Sequence, residues 1–205
     1  MSFTLTGDWL GRFVRRNTME NPEYKILTAE ADMKDFIEHC VDVDRFLKCC
    51  EECPNFGKTW SCPPYDFNPL DYWNRFQTFY LYAVKTITPP QLLEQSYELN
   101  DLMRLGGEIT LSAQNDMQAH LEAEQKKFPR SKVIGGGRCM LCREAGCARL
   151  KNEPCRSPDR MSYSIESLGG NVQETLNRYL KEDICWGKDG HLAPYYIRIG
   201  GLLKP

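Results

Sequence analysis

Apolar residues recur along the chain with two different periods, and the changes of period mark its elements. Residues 24–28 read as a short strand. Met33, Phe36, Ile37 and Cys40 then repeat at three- and four-residue intervals, which predicts a helix over 31–40. A group of cysteines follows at once, after which Pro63-Pro64 and Pro69 enforce an extended loop. Residues 70–77 read as helical, and the aromatic and β-branched run Phe79-Tyr80-Leu81-Tyr82-Ala83-Val84 as a buried strand that Pro89-Pro90 ends. Over 91–128 the composition is dominated by Leu, Glu, Gln, Met and Ala. Only Gly106-Gly107 interrupts it, so one long bent helix or two helices are predicted. Lys132-Val133-Ile134 predicts a strand leading into Gly135-Gly136-Gly137 and a second cysteine group. Ser164 and Ser167, with Gly169-Gly170 beyond, suggest one short helix, residues 172–180 another, and Tyr195-Tyr196-Ile197-Arg198-Ile199 a final strand.

No internal repeat or low-complexity segment divides this pattern. It predicts an α+β fold: a single domain over 23–205 with a small mixed sheet of about four strands, flanking helices and two cysteine-rich metal-binding loops. Residues 1–22, polar and carrying Arg12, Arg15 and Arg16, read as a tail or a surface helix.

With 26 basic and 28 acidic residues the net charge is −2, so no global field draws the chain to nucleic acid or to an anionic membrane. The N-terminus lacks a basic start followed by an apolar run, and no stretch approaches the roughly 18 apolar residues of a membrane span. A cytoplasmic location is the expectation. The aromatic cluster between Tyr65 and Tyr82 is not interleaved with basic residues, Arg75 being the lone cation between Lys58 and Lys85, so core packing accounts for it better than base stacking. The glycines at 135–137 lack the Lys-Ser/Thr that follows a phosphate loop.

Ten cysteines change this plain picture, because most of them fall in two tight groups. Intracellular Cys-x-x-Cys groups point to metal or redox chemistry rather than to a disulfide scaffold. In the second group Cys139 and Cys142 are joined by Cys147 and by Cys155, with Gly146 and Pro154 supplying the turns that return the chain. Four thiolates satisfy either tetrahedral zinc or an iron–sulfur cluster. The compressed spacings and the glycine run before them favour iron, and Arg138, Arg143 and Arg156 flank the ligands as charges that could offset a thiolate-bound cluster. The first group sets Cys50 and Cys53 against Cys62, nine positions on, across a turn at Asn55 and Gly57. Three cysteines leave its fourth ligand open to Cys49, Cys40, Cys185, another side chain or nothing. Cys40 and Cys185 read first as buried small hydrophobes, and His39, His120 and His191 as ordinary surface or core residues.

The run Cys53-Pro54-Asn55-Phe56-Gly57-Lys58-Thr59-Trp60-Ser61-Cys62-Pro63-Pro64, the four cysteines between Gly135 and Pro158, and residues 164–172 leading to a Tyr-rich terminal strand resemble the predicted metal-binding proteins of the family DUF2284. The resemblance covers the chain from about residue 45 onward and implies a metal-binding protein, with an iron–sulfur centre, of unassigned reaction. Here Cys147 follows Cys142 at a longer spacing than in that pattern, and the first group opens with Cys49-Cys50 where the pattern has one cysteine. The leading functional expectation is a redox protein holding one or two iron–sulfur clusters, of the [4Fe-4S] type, that exchanges electrons with a partner protein. The alternatives are an enzyme with an open iron at the three-cysteine group and a zinc-stapled interaction module.

Overall fold

The structure is a computed structural model that describes residues 23–142 and 144–205. The expected tail over 1–22, and Arg143, lie outside the described residues. Tyr24–Asp32 forms strand β1, and Asp32 both ends it and starts helix α1 (Met33–Cys40) by accepting the N–H groups of Lys34 and Asp35 at 2.9 and 3.2 Å. Asp42 caps helix α2 (Val43–Glu51) through the N–H of Arg45, and Asn68 with Pro69 starts helix α3 (Pro69–Trp73). Strand β2 (Thr78–Ile87), the short helix α4 (Pro90–Leu93) and the long helix α5 (Leu99–Lys127) follow. Strands β3 (Lys132–Gly135) and β4 (Tyr163–Ser164) bracket the second cysteine group. Helix α6 (Val172–Thr175) widens into a π-helical turn at Leu176–Leu180, and strand β5 (Tyr195–Lys204) ends the chain.

The strands form one mixed sheet in the order β1-β2-β5-β3-β4, antiparallel except for the β3–β4 pair. Both faces are covered, which is why β2 reads as a nearly unbroken apolar run. On one face Phe79, Leu81 and Ala83 pack with Phe36, Trp73, Ile165, Leu168 and Leu176. Phe36 lies at the centre of this layer, its ring 5.2 Å from that of Trp73 and 5.1 Å from that of Phe79. On the other face Tyr82, Val84 and Leu202 meet Ala113, Met117 and Leu121 of α5. The last strand thus sits between β2 and β3, and its two central glycines make that possible. A Cβ on Gly201 would stand 2.1 Å from the carbonyl oxygen of Tyr80, and one on Gly200 2.3 Å from that of Ile134. These are backbone atoms of the neighbouring strands and cannot move aside.

The α+β class, single unit and mixed sheet agree with the sequence pattern. Several boundaries differ. The sheet has five strands rather than about four, because the two-residue β4 pairs with β3 where Ser164 was expected to begin a helix. The short helix there is a 3-10 turn at Glu166–Leu168. Strand β1 runs to Asp32 because Ala31 still pairs with Phe79, which moves the start of α1 to Met33. Gly106-Gly107 does not interrupt α5: the Tyr196 ring lies against Gly106, and Gly107 faces open space. The expected helix over 70–77 is only Pro69–Trp73, since Gln77 is drawn into bonds with Lys204 and Met33. The first cysteine group does not sit wholly in a loop, because α2 carries Cys49 and Cys50 in its last turn.

Helix α1 is tied to the C-terminal turn by Asp35, which accepts from Arg178 Nε at 2.9 Å and Nη2 at 2.5 Å and from the hydroxyl of Tyr179. The Arg178 guanidinium, and after it the Tyr179 hydroxyl, hold the Asp35 carboxyl well below the usual carboxylate range. Since its folded value lies below the unfolded one, its contribution is complete above the ordinary value near about pH 4 and is lost as pH falls through the folded value. An Asp35→Asn variant should therefore melt below the wild type at pH 7, and the gap should close in acid; calorimetry across that range checks it. Gly201→Ala should cost about 1–3 kcal/mol or more through overpacking, read as a lowered melting temperature with the visible spectrum of any bound metal measured alongside.

Candidate metal centre

The chain between β3 and β4 has no regular structure apart from a 3-10 turn at Ala148–Lys151, and it folds around a cavity of about 200 Å³. Cys139, Cys142, Cys147 and Cys155 all line this cavity. Its opposite wall comes from the first cysteine motif, through Asn55, Lys58, Trp60 and Ser61. No carboxylate and no imidazole lines it among the described residues. The segment between Cys53 and Cys62 therefore serves the other cysteine group, a relation that spacing alone does not reveal.

Three contacts lock the two motifs together. The Cys139 N–H donates to the Ser61 hydroxyl oxygen at 3.0 Å. Trp60 Nε1 donates to the carbonyl of Glu153 at 3.0 Å. Arg149, two residues after Cys147, gives Nη1 to the carbonyls of Thr59 and Cys62 at 2.8 and 2.5 Å and Nη2 to that of Pro64 at 2.6 Å, with its guanidinium 5.1 Å from the centre of the Trp60 ring. A planar fork of donors suits three converging carbonyls as no ammonium can.

The first group is assembled by turns that run on from α2. The Cys53 N–H bonds back to the Cys50 carbonyl, that of Phe56 to Cys53, and that of Cys62 to Thr59. Cys53, Cys62 and Cys49 all lie near enough to Cys50 for their charges to act on its thiol. Burial, and after it the charges of Cys53 and Cys62, push the Cys50 thiol up to about 11. Its Sγ lies 3.8 Å from the Glu166 carbonyl, and Asn55 Nδ2 lies 3.7 Å from Cys53 Sγ. The Glu166 carbonyl is fixed there because Asp42 bonds to Gly169 and Asn171 to Cys40 across the α1–α2 junction. Cys49 and Cys53 are exposed, and Cys50 and Cys62 half-buried. In the second group Cys139 is raised by burial, against the lowering effect of the Leu141 and Ser162 backbone.

The reserve ligands are occupied elsewhere. Cys40 is buried in the Phe36 core, where desolvation pushes its thiol up to about 11. Cys185 is half-exposed beside Tyr196 rather than buried. His39 bonds to the Asp35 carbonyl, His191 faces that of Leu93, and His120 stacks on Tyr82 at 4.4 Å. Arg156 braces the loop by donating to the Gly146 carbonyl at 2.9 Å, whereas Arg138 is exposed at the cavity rim. Arg149 is the functional neighbour that sequence reasoning missed; its only signal was its place two residues after Cys147.

Among the described residues no three His, Cys, Asp or Glu side chains converge closely enough to hold a single metal ion as they stand. The donor set nevertheless fits a sulfur-ligated group. All ten cysteines are free thiols, and among the described residues four of them are the titratable soft donors around one cavity. A thiol-lined cavity walled by a second cysteine motif, on an α+β frame, is the site that this fold presents. The chain belongs to the predicted metal-binding protein family DUF2284, whose pattern matches residues 37–199. No curated protein and no solved structure gives a significant match.

Removing the Arg149 fork leaves three carbonyls short of donors, and bonds to a charged group contribute roughly 1.5–3 kcal/mol each. Arg149→Lys should lower the melting temperature and the metal content of both cysteine groups together, by differential scanning fluorimetry and elemental analysis. A Ser61→Ala variant should disturb the second group alone.

Proposed function

We propose that the protein is a redox protein in which Cys139, Cys142, Cys147 and Cys155 hold an iron–sulfur cluster of the [4Fe-4S] type, and Cys50, Cys53 and Cys62 hold a second. The observation that carries this reading is the cavity itself. A single zinc ion with Zn–S bonds near 2.3 Å needs its four sulfurs about 3.8 Å apart. Here the four cysteines are among the residues that line a space of about 200 Å³, and among the described residues no three of them close on a single ion. Such a space suits a group of several atoms better than one ion.

Once bound, a cluster supplies one-electron chemistry at a potential set by charge, hydrogen bonding and exposure. The protein's own residues supply the rest. Cys139 and Cys50, raised by burial, must give up their protons on ligation, so loading should be favoured by rising pH. The Ser61–Cys139 bond fixes the first strand-end ligand, and Arg149 and Arg138 bring positive charge toward thiolates that would otherwise repel one another. A partner protein would exchange electrons at the exposed rim that includes Arg138.

One observation favours an open coordination position at the first group. It offers three clustered thiols, and Cys53 among them is exposed, so a small substrate or water could complete the set. That reading makes the first group the reactive one and the second a relay.

Protein purified without oxygen should be brown and contain iron and inorganic sulfide in matching amounts. A colourless protein carrying only zinc would end the proposal. Replacing Cys139, Cys142, Cys147 and Cys155 together by Ser should remove about half of the iron, and Cys53→Ser should abolish the response of the remaining paramagnetic signal to added small thiols or anions.

A further inference from the structure

A second cavity of about 180 Å³ lies against the cysteine cavity and shares the wall from Arg138 to Leu141 with it. Its polar lining is one-sided in kind. Gln114 and Asn115 line it from α5, Ser162 brings a hydroxyl, and Arg138 and Arg160 bring guanidinium groups, while Gln118 gives its amide nitrogen to Glu122 at 3.0 Å; no carboxylate lines it among the described residues. Arg160 is held in place by Glu122, whose carboxylate lies 3.2 Å away, while Arg138 bonds to no carboxylate among the described residues. Gly135, Gly136 and Gly137 form the floor. Gly137 has φ +128°, and a Cβ on Gly135 would stand 2.8 Å from Ser162 Oγ, so backbone comes to the cavity where any other residue would put a side chain.

Behind this floor lies a third guanidinium. Among the described residues Arg198 of β5 bonds to neutral acceptors, the Gly136 carbonyl at 3.4 Å and Thr110 Oγ1 at 3.3 Å, and the Glu166 carboxylate acts on it without a bond. A partly buried charge with no counter-charge bonded to it is costly unless a ligand supplies one. Positive charge on two sides, and amide and hydroxyl donors between, form the complement of an oxyanion. The volume lies below the roughly 300–1,000 Å³ of drug-sized sites, so the guest has few atoms.

We infer that this cavity binds a small oxyanion, a phosphate or the carboxylate of a small metabolite, beside Cys139. Arg138 closes on the anion from the rim, Gln114 bonds it from α5, and Arg198 favours it through the glycine turn. The site is built from side chains and backbone that need no metal, so the inference stands apart from the iron–sulfur reading.

The test is calorimetric titration of the full-length protein, purified anaerobically with whatever metal it carries, against inorganic phosphate and against acetate, with chloride as the control. Saturable binding of phosphate or acetate is expected, and the stronger of the two names the chemistry. Arg138→Gln and Gln114→Leu should each weaken it at least about tenfold. Metal content is measured on the same samples. Because Gln114 is on α5, remote in sequence from every cysteine, its variant decides the matter if Arg138→Gln also loses metal. No saturable binding of either anion, or wild-type affinity in Gln114→Leu, overturns the inference. Iron-free protein that binds phosphate and loses it in both variants would keep the inference while ending the iron–sulfur reading.

Discussion

Arg149 gives its two terminal nitrogens to three carbonyls, those of Thr59, Cys62 and Pro64, and on that fork the geometry of both cysteine groups depends. It springs from the turn after Cys147 and ends on the segment that carries Cys62, so neither motif can take its shape without the other. Ser61 repeats the link on the opposite side by receiving the Cys139 N–H. Loops rich in cysteine have little apolar surface with which to order themselves. Here the Arg149 fork contributes that ordering through charge-assisted bonds to backbone oxygens.

The sheet supplies the anchors for these loops. Strand β3 delivers the chain to Cys139 and β4 takes it away after Cys155; β3 pairs with β5, and β4 with β3. The first motif is anchored from the other side, where Trp73 donates its indole N–H to the Leu168 carbonyl at 2.9 Å and the turn at Gly169 is bonded to Asp42. Residues 164–172 thus connect the aromatic core to the end of the α1–α2 junction and bring the Glu166 carbonyl to Cys50.

Much of the frame was legible in the sequence, for physical reasons that can be named. Strong periodicity marked α1, and a continuous apolar run marked β2, because a strand covered on both faces has no polar side to alternate. The two-residue β4 was illegible, since its pairing with β3 is decided by the sheet and not by local preference. Helix α2 was legible in principle, with Val43, Phe46, Leu47 and Cys50 at helical spacing behind the Asp42 cap, but its cysteines drew attention to ligation instead. At the site, spacing grouped the cysteines into two sets, and Cys139, Cys142, Cys147 and Cys155 all line one cavity. What spacing could not convey is that the two sets are adjacent. That depends on contacts between residues some eighty to ninety positions apart, such as Ser61 with Cys139 and Arg149 with Thr59.

The placement of β5 has a consequence for the newborn chain. This strand follows every other element of the sheet in the sequence, yet it occupies the middle of the sheet between β2 and β3. Every cysteine has been synthesised before it appears. At about 5–20 residues per second, Cys62 waits on the order of ten seconds before the strand that aligns its partners exists. A nascent chain stalled short of Tyr195 would present its cysteines without the strand that holds β3 in the sheet.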